Sequence, residues 1–408
     1  MSRIVLGVSG GVAAYKAALL VRAFTEAGHD VRVVPTPSAL NFVGAATFEA
    51  LSGNPVNTDV WTDVPEVAHV RIGQHADLVV VAPATADLLA RAAMGRADDL
   101  LTATLLTAHC PVVFVPAMHT EMWLHPATQE NVATLRRRGS VVLPPAVGRL
   151  TGPDSGPGRL PEPADIAALA TVVLDQGAGA LAQDLSGRRV VISAGGTREP
   201  LDPVRYLGNR SSGKQGWALA RVAAARGADV VLVAANVDLP APFGVRVVPV
   251  GTAEELRAAM LAESEAADVV VMSAAVADFR PARVAATKMK KGSASEPDSV
   301  PLVRNPDVLA ELVTKRRPGQ LVVGFAAETG DADGDVLDHA RAKLARKGSD
   351  LLVVNDVSDG QVFGRADNAA VVLGHDGSAT EVPRGSKDAV AAGIWTAVGR
   401  RLGPPPEG

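Results

Sequence analysis

SAGGTREPLDPVRYLGNRSSGKQG, residues 193–216, decides how this chain is read. The apolar run Val190-Val191-Ile192 leads into it and has the length and β-branching of a buried strand. Next come the pair Gly195-Gly196, an Asp202-Pro203-Val204-Arg205 turn and a second loop of small residues, Ser211-Ser212-Gly213-Lys214. A helical pattern opens at about Gln215 and continues as GWALARVAAARG. Small residues leave main-chain N–H groups uncovered, and a helix start adds the positive end of its dipole. Such a site suits an anion, above all a phosphate.

Downstream, apolar runs at residues 230–234, 246–249, 269–272, 321–324, 351–354 and 370–373 predict further strands, with helices between most of them. Residues 290–301 (KKGSASEPDSVP) and the tail 403–408 have the composition of flexible segments. Upstream, the chain opens in the same way: Arg3-Ile4-Val5-Leu6 runs into Gly7-Val8-Ser9-Gly10-Gly11, a helix over 13–27 stops at Gly28, and a strand follows at 31–34. This β–Gly loop–α–β unit begins a doubly wound parallel sheet. The loop is not a clean G-x-G-x-x-G, and a mononucleotide phosphate fits it as well as a dinucleotide.

Further strands are predicted at 78–82, 112–115 and 141–143, and a helix at 84–93. PATAD and PAMHTEMW follow two of these strands, at the carboxyl ends where open α/β sheets bind ligands. Residues 148–163 (GRLTGPDSGPGRLPEP) read as a mobile flap with no element of their own. A helix over 164–174 closes this half, and 175–187 reads as a linker. The expected fold class is α/β, with two Rossmann-like, doubly wound domains in series over residues 1–178 and 188–402.

A length of 408 residues suits two or three domains, and a net charge of −4 excludes a dominant basic face for nucleic acid or a polybasic membrane patch. Cys110 is the one cysteine, so no internal disulfide forms. The N-terminal apolar stretch is too short for a signal peptide or a membrane span, and a cytoplasmic protein is expected.

The motifs also carry a family resemblance. GGTREPLDPVRYLGNRSSGKQG, SAAVADF, KMKK, RNPDVL, GFAAET and VVNDVS, in that order, resemble the phosphopantothenate–cysteine ligase domain of bacterial coenzyme A biosynthesis. GVSGGVAAYK, APATADLLA, DDLLT and PAMHTEMW resemble the FMN-dependent phosphopantothenoylcysteine decarboxylase. Nearly the whole chain is thus similar to the bifunctional family that carries both steps. The resemblance implies a flavodoxin-like FMN domain followed by a nucleotide-binding ligase domain. It also implies homo-oligomers, with a trimeric flavin half, a dimeric ligase half and a dodecamer of the whole.

For the ligase, the resemblance implies that CTP activates the carboxylate of 4′-phosphopantothenate as an acyl-cytidylate, which the amine of L-cysteine then attacks. The residues alone do not separate cytidine from adenosine. Gly195, Gly196, Ser211, Ser212 and Gly213 can supply donors without bulk. Asn209 matches the asparagine that holds the acyl-cytidylate, and Arg205 is expected to face substrate anions as a planar fork. Lys288, with Lys290 and Lys291 behind it, is expected to offset charge on the leaving pyrophosphate. Ala275, Asp278 and Phe325, the last read as part of a loop, are implied nucleotide contacts. Triphosphate chemistry implies Mg²⁺, for which Asp278 is the candidate ligand.

For the decarboxylase, the carboxylate to be lost has no neighbouring electron sink. In the family this is met by flavin-dependent oxidation of the thiol to a thioaldehyde, with the electrons returned after CO₂ leaves. Gly7, Ser9, Gly10, Ser38 and Thr85 are the expected FMN phosphate contacts, and His69 matches the active-site histidine. Two departures stand out. His119 replaces the asparagine of P-x-M-N-x-x-M-W, where an imidazole can take over as donor to the substrate carboxylate. The flap, Thr151-Gly152-Pro153-Asp154-Ser155-Gly156, carries no cysteine, which leaves the returning proton to Asp154, a histidine or water.

One alternative keeps the ligase and makes the flavin half a binding and assembly module. Another, a nicotinamide oxidoreductase, is opposed by the lack of an acidic residue ending the second strand, Val31-Arg32-Val33-Val34-Pro35.

Overall fold

The computed structural model describes residues 1–59, 67–150, 154–289, 299–328, 336–356 and 367–403. The chain forms two compact units, Met1–Ala182 and Gln183–Gly408. No described helix is long and apolar enough to cross a membrane.

In the first unit, strands β1 (Arg3–Val8), β2 (Asp30–Pro35), β3 (Leu78–Ala84), β4 (Val112–Pro116) and β5 (Val141–Val142) form one sheet of order β2-β1-β3-β4-β5, parallel throughout. This is the flavodoxin-like order. Every residue of β3 is buried, as expected of a parallel strand covered on both faces. Helices α1 (Tyr15–Glu26), α2 (Ala45–Ser52), α3 (Ala68–His75), α4 (Ala86–Met94), α5 (Leu100–Thr107), α6 (Thr120–Leu124), α7 (Pro126–Arg137) and α8 (Pro163–Gln176) complete the unit. Thr85 caps α4 at its start and Gly95, at φ +71°, ends it. Val79, Val81, Leu88, Leu101 and Phe114 meet in the core, each contributing roughly 1.5–3 kcal/mol by burial.

The flap expectation is corrected. Strands β6 (Ala146–Arg149) and β7 (Ser155–Arg159) pair as an antiparallel hairpin, with Thr151, Gly152 and Pro153 outside the described residues. Within the segment read as linker, residues 178–181 form a short 3-10 helix.

The second unit holds β8 (Arg189–Gly195), β9 (Arg198–Pro200), β10 (Tyr206–Gly208), β11 (Asp229–Ala235), β12 (Val245–Val250), β13 (Val269–Met272), β14 (Phe279–Pro281), β15 (Leu302–Arg304), β16 (Leu321–Glu328), β17 (Leu351–Asp356), β18 (Asp367–Gly374) and β19 (Ala379–Ser386). The large sheet runs β12-β11-β8-β13-β16-β17-β18-β19. Its first six strands are parallel in the doubly wound dinucleotide-fold order, and β18 and β19 extend it antiparallel. The loops after β8 and β13 therefore lie at the topological switch point. The hairpins β9/β10 and β14/β15 stand beside each other outside the sheet.

Helices α9 (Lys214–Ala225), α10 (Ala253–Ser264), α11 (Val308–Lys315), α12 (Val336–Lys347) and α13 (Lys387–Leu402) flank it. The indole of Trp395 on α13 is fully buried and donates to the Leu219 carbonyl of α9 at 2.9 Å, so its N–H is satisfied where its ring is hidden. Arg226 is buried behind α9 with its charge met by Asp184. Lys290, Lys291, most of the 290–301 segment and the tail beyond Gly403 lie outside the described residues.

Candidate active sites

In the first unit, the loops leaving β1, β3 and β4 meet at a cleft of about 460 Å³ beside the β1/β3 switch point. Gly10, Gly11, Thr85, Met118 and His119 line it from these loops, Tyr15 and Lys16 from α1, and Arg149, Arg159 and Leu160 from the hairpin side.

Ser9 is buried. Its N–H and its hydroxyl both donate to the Pro83 carbonyl, at 3.2 and 2.7 Å, and the hydroxyl accepts from the Thr85 N–H at 2.9 Å. Gly7 lies inside β1, where a Cβ would come within 2.6 Å of Leu101. Within the fold, Gly7 makes room for α5 and Ser9 joins the β1 and β3 loops. Gly10 and Gly11 make no main-chain donation among the described residues, and a helical turn starts at Val12. A Cβ on Gly10 would lie 2.5 Å from Ser38 Oγ, so the expected Ser38 hydroxyl does stand beside this loop.

The hairpin is fixed to the same cleft. Met118 N–H donates to the Gly158 carbonyl at 2.9 Å, and a Cβ on Gly156 would fall 2.4 Å from Thr120 Oγ1. Lys16, buried despite its charge, donates to Glu162 at 3.0 Å, and Arg159 reaches the same carboxylate oxygen at 2.5 Å. Lys16, Tyr15 and Arg159 were not singled out from sequence, although GVSGGVAAYK contains the first two. His119 precedes α6 and its imidazole makes no cap hydrogen bond.

His69 is not brought to this cleft within the chain. It lies on α3, its carbonyl accepts from Thr107 Oγ1 at 2.8 Å, and its Nδ1 is buried with no hydrogen-bond partner among the described residues. Asp154, at the described end of the hairpin, is exposed and outside the lining. Burial pushes the Cys110 thiol up, so it stays protonated at neutral pH.

In the second unit, Gly195 has φ +87°, and a Cβ there would lie 2.1 Å from the Ala235 carbonyl oxygen. Gly196 N–H donates to that same oxygen at 3.1 Å, Ala275 N–H to the Gly195 carbonyl at 2.8 Å and Thr197 N–H to the Ala275 carbonyl at 3.2 Å. The Gly196 amide thus ties the β8 loop to β11, while the Ala275 and Thr197 amides tie it to the β13 loop; Gly196, expected as a ligand donor, and Ala275, expected as a nucleotide contact, both direct their N–H groups into the fold. The open donors belong to the start of α9, after Ser212 and Gly213, whose first turn has no intrahelical acceptors. Gly216 lets that helix approach β8: a Cβ would meet Ala194 Cβ at 2.4 Å.

Asn209 follows β10, and its amide donates to the Val276 carbonyl at 2.9 Å, which places it against the β13 loop. Arg205, expected to face substrate anions, is half-exposed and also has partners within the fold. Its guanidinium grips Asp202 at 2.6 and 3.0 Å and donates to the Met289 carbonyl at 2.9 Å, and this partnership holds the Asp202 carboxyl well below the usual carboxylate range. Lys288, next to Met289, is exposed.

A cleft of about 470 Å³ lies against the β13 loop, lined by Asp278, Asn305 and Phe325, with Lys343 and Lys347 from α12. Phe325 sits within β16, not in a loop. Asn305 orients the Asp278 segment: its side chain donates to the Ala277 carbonyl at 2.8 Å and its N–H to the Asp278 carbonyl at 2.8 Å. Asp307 caps α11 and pairs with Lys347; burial would raise its carboxyl, but the hydrogen bond from Lys347 leads a set of opposing effects that bring it below its ordinary value. The two α12 lysines are distant from the glycine motifs in sequence, and only the fold brings them to this cleft.

Two family models match the chain, "Flavoprotein" over residues 1–174 and "DNA/pantothenate metabolism flavoprotein C-terminal domain" over residues 185–401. The chain is 66% identical over 398 residues to the coenzyme A biosynthesis bifunctional protein CoaBC of Mycolicibacterium smegmatis, covering 96% of each chain. It is 63% identical over 402 residues to the protein of that name from Mycobacterium tuberculosis, covering 97% of this chain and 96% of that one. With the Vibrio cholerae protein of that name it shares 43% identity over 397 residues, 96% of each. The chain belongs to the CoaBC family of bifunctional coenzyme A biosynthesis enzymes, which carry a flavoprotein decarboxylase domain followed by a ligase domain.

Proposed function

We propose that residues 188–402 join L-cysteine to 4′-phosphopantothenate through an acyl-cytidylate made from CTP, and that residues 1–178 decarboxylate the product, 4′-phospho-N-pantothenoylcysteine, to 4′-phosphopantetheine with FMN. The observation that carries this is the pairing of the two family matches with two clefts, each at the carboxyl ends of a parallel sheet.

The residues of the first cleft fit FMN. Gly10 and Gly11 leave amides for a phosphate at the start of a helical turn, with the Ser38 and Thr85 hydroxyls near, and Tyr15, Met118 and Met122 offer walls for a flat ring. Bound there, FMN supplies the two-electron oxidation that makes the thiol-bearing carbon an electron sink. His119 and Arg159 are the cleft's donors for the substrate carboxylate, and His119 is its histidine able to return a proton. Glu162, held by both Lys16 and Arg159, ties the end of the hairpin to α1 beside the cleft. His69 is assigned to the same reaction by its motif.

In the ligase, Asn209 holds the acyl-cytidylate, Asp278 and Phe325 contact the nucleotide, and Lys288, Lys343 and Lys347 offset triphosphate charge. Among the described residues no three acidic, histidine or cysteine side chains gather as a metal site. That suits Mg²⁺ carried mainly by phosphates and water, with Asp278 as a single protein ligand.

Val204, Tyr206, Leu207, Phe279, Leu302 and Val303 are exposed on or beside the two adjacent hairpins, which supports dimers of the ligase half. Trimers of the flavin half, a dodecamer of the whole chain and a cytoplasmic place complete the proposal.

The test supplies the purified chain with 4′-phosphopantothenate, L-cysteine and CTP and follows pyrophosphate and CO₂. Pyrophosphate that depends on both CTP and phosphopantothenate, followed by CO₂, is expected. Pyrophosphate without CO₂ would reduce the first half to a flavin-binding module, and neither product would overturn the proposal.

A further inference from the structure

Asp202 opens the turn between β9 and β10, just ahead of Asn209, and its side chain is fully buried. Its Oδ1 accepts from the N–H groups of Val204 and Arg205, both at 2.8 Å, which closes the turn. A turn needs nothing further from the residue. Yet Oδ2 accepts from Arg205 Nε at 3.0 Å, from Arg205 Nη2 at 2.6 Å and from the Met289 N–H at 3.2 Å. Arg205 Nη2 completes the grip by donating to the Met289 carbonyl at 2.9 Å. The same segment is tied once more, through Ala285 N–H to the Leu201 carbonyl at 3.0 Å. One buried carboxylate thus joins the turn leading to Asn209 to the residue that follows Lys288.

We propose that Asp202 is a positioning residue of the ligase reaction, which together with Arg205 fixes the main chain at Met289 and so presents Lys288 to the triphosphate. This rests on Lys288 acting on that triphosphate. A lysine side chain is long and exposed, so its usefulness to a leaving pyrophosphate depends on where its backbone is anchored. Asp202 touches neither substrate nor nucleotide in this scheme and acts only through Lys288.

Asp202→Asn in the full chain is a selective test. Retained Oδ1 keeps the turn, while an NH₂ in place of Oδ2 faces three donors and releases Met289. Pyrophosphate release is expected to fall about tenfold or more, with faster hydrogen exchange at the Met289 amide and unchanged CO₂ release from supplied phosphopantothenoylcysteine. In a Lys288→Ala background the same substitution should change pyrophosphate release less than about twofold, because the group being positioned is gone. Arg205→Lys, which keeps the charge but loses the fork, should act in the same direction, more weakly, and likewise only when Lys288 is present; it serves if Asp202→Asn does not fold. A full loss added on top of Lys288→Ala, or an unchanged rate in both single variants, overturns the positioning role. If Lys288→Ala alone leaves pyrophosphate release intact, the assignment of Lys288 falls first and this role with it.

Discussion

Gly158 accepts a hydrogen bond from Met118 at 2.9 Å, and a Cβ added to Gly158 would lie 2.2 Å from the Met118 carbonyl oxygen. Its φ of +146° is one that side-chain-bearing residues rarely adopt. Strain and clash both push the hairpin away from the loop that carries His119. Gly158→Ala should therefore lower decarboxylation by about 100-fold, the scale of an ångström's misplacement in an active site, and leave pyrophosphate release within about twofold. Parallel assays of the two half-reactions check this, and an unaffected rate of CO₂ release would show that the hairpin contact is dispensable.

The two histidines separate by the same assays. His119 lines the cleft, so His119→Ala should cut decarboxylation by about 100-fold, and His119→Asn should restore part of it because an amide also donates. His69 lies outside that lining with a buried Nδ1 that has no partner among the described residues, an arrangement that a folded chain rarely keeps without a use. His69→Asn should abolish CO₂ release and spare pyrophosphate release. Loss of both activities would mark a folding defect instead, and loss of neither would remove His69 from the reaction.

The parallel strands were legible because burial on both faces leaves an uninterrupted apolar run, as in Leu78–Ala84. β19 was not, since an edge strand with one buried position and an internal proline has no apolar period to read. The hairpin β6/β7 was mistaken for a flap because Gly156, Pro157 and Gly158 have loop composition, whereas two of them are glycines for close approach to Thr120 and Met118. The glycines of the ligase loop were found, but not the packing they serve: Gly195 and Gly216 make space for Ala235 and Ala194. Charged residues fared worst. Lys16 on a helix reads as solvent-facing until its burial against Glu162 is seen, and nothing local in Asp202 announces that Met289 will meet it.

A pH prediction follows from Glu311 on α11, beside the second cleft. Its carboxylate takes Arg257 of α10 at 2.5 and 2.8 Å and Lys315 at 2.9 Å, and these partners, Arg257 foremost, push it down to about 2. A carboxyl depressed on folding stabilises the protein above its unfolded pKa and loses that contribution as pH falls through the folded one. Glu311→Gln should lower the melting temperature at pH 7 by a few degrees, corresponding to about 1 kcal/mol for a largely surface network. The gap should narrow below about pH 4.3 and close near pH 2. Thermal unfolding across this range checks it, and a gap independent of pH would trace the loss to packing.

Asn209 gives the sharpest separation of steps within the ligase. Its amide donates to the Val276 carbonyl at 2.9 Å, so the side chain is oriented by the β13 loop, and its own carbonyl oxygen lies 2.9 Å from where a Cβ on Gly196 would be. Asn209→Asp keeps the shape but sets a carboxylate against a carbonyl oxygen and against the phosphoryl group of an acyl-cytidylate. On the proposed assignment, nucleotide activation rests on Lys288 and the second cleft and should continue, whereas attack by the cysteine amine needs the intermediate held in line. Amide formation should slow by about 100-fold, with acyl-cytidylate accumulating and pyrophosphate approaching one equivalent per chain before turnover stalls. Rapid-quench analysis with labelled phosphopantothenate would resolve this. An Asn209→Asp enzyme that forms amide at the original rate, or one that releases no pyrophosphate, would place Asn209 outside the second step.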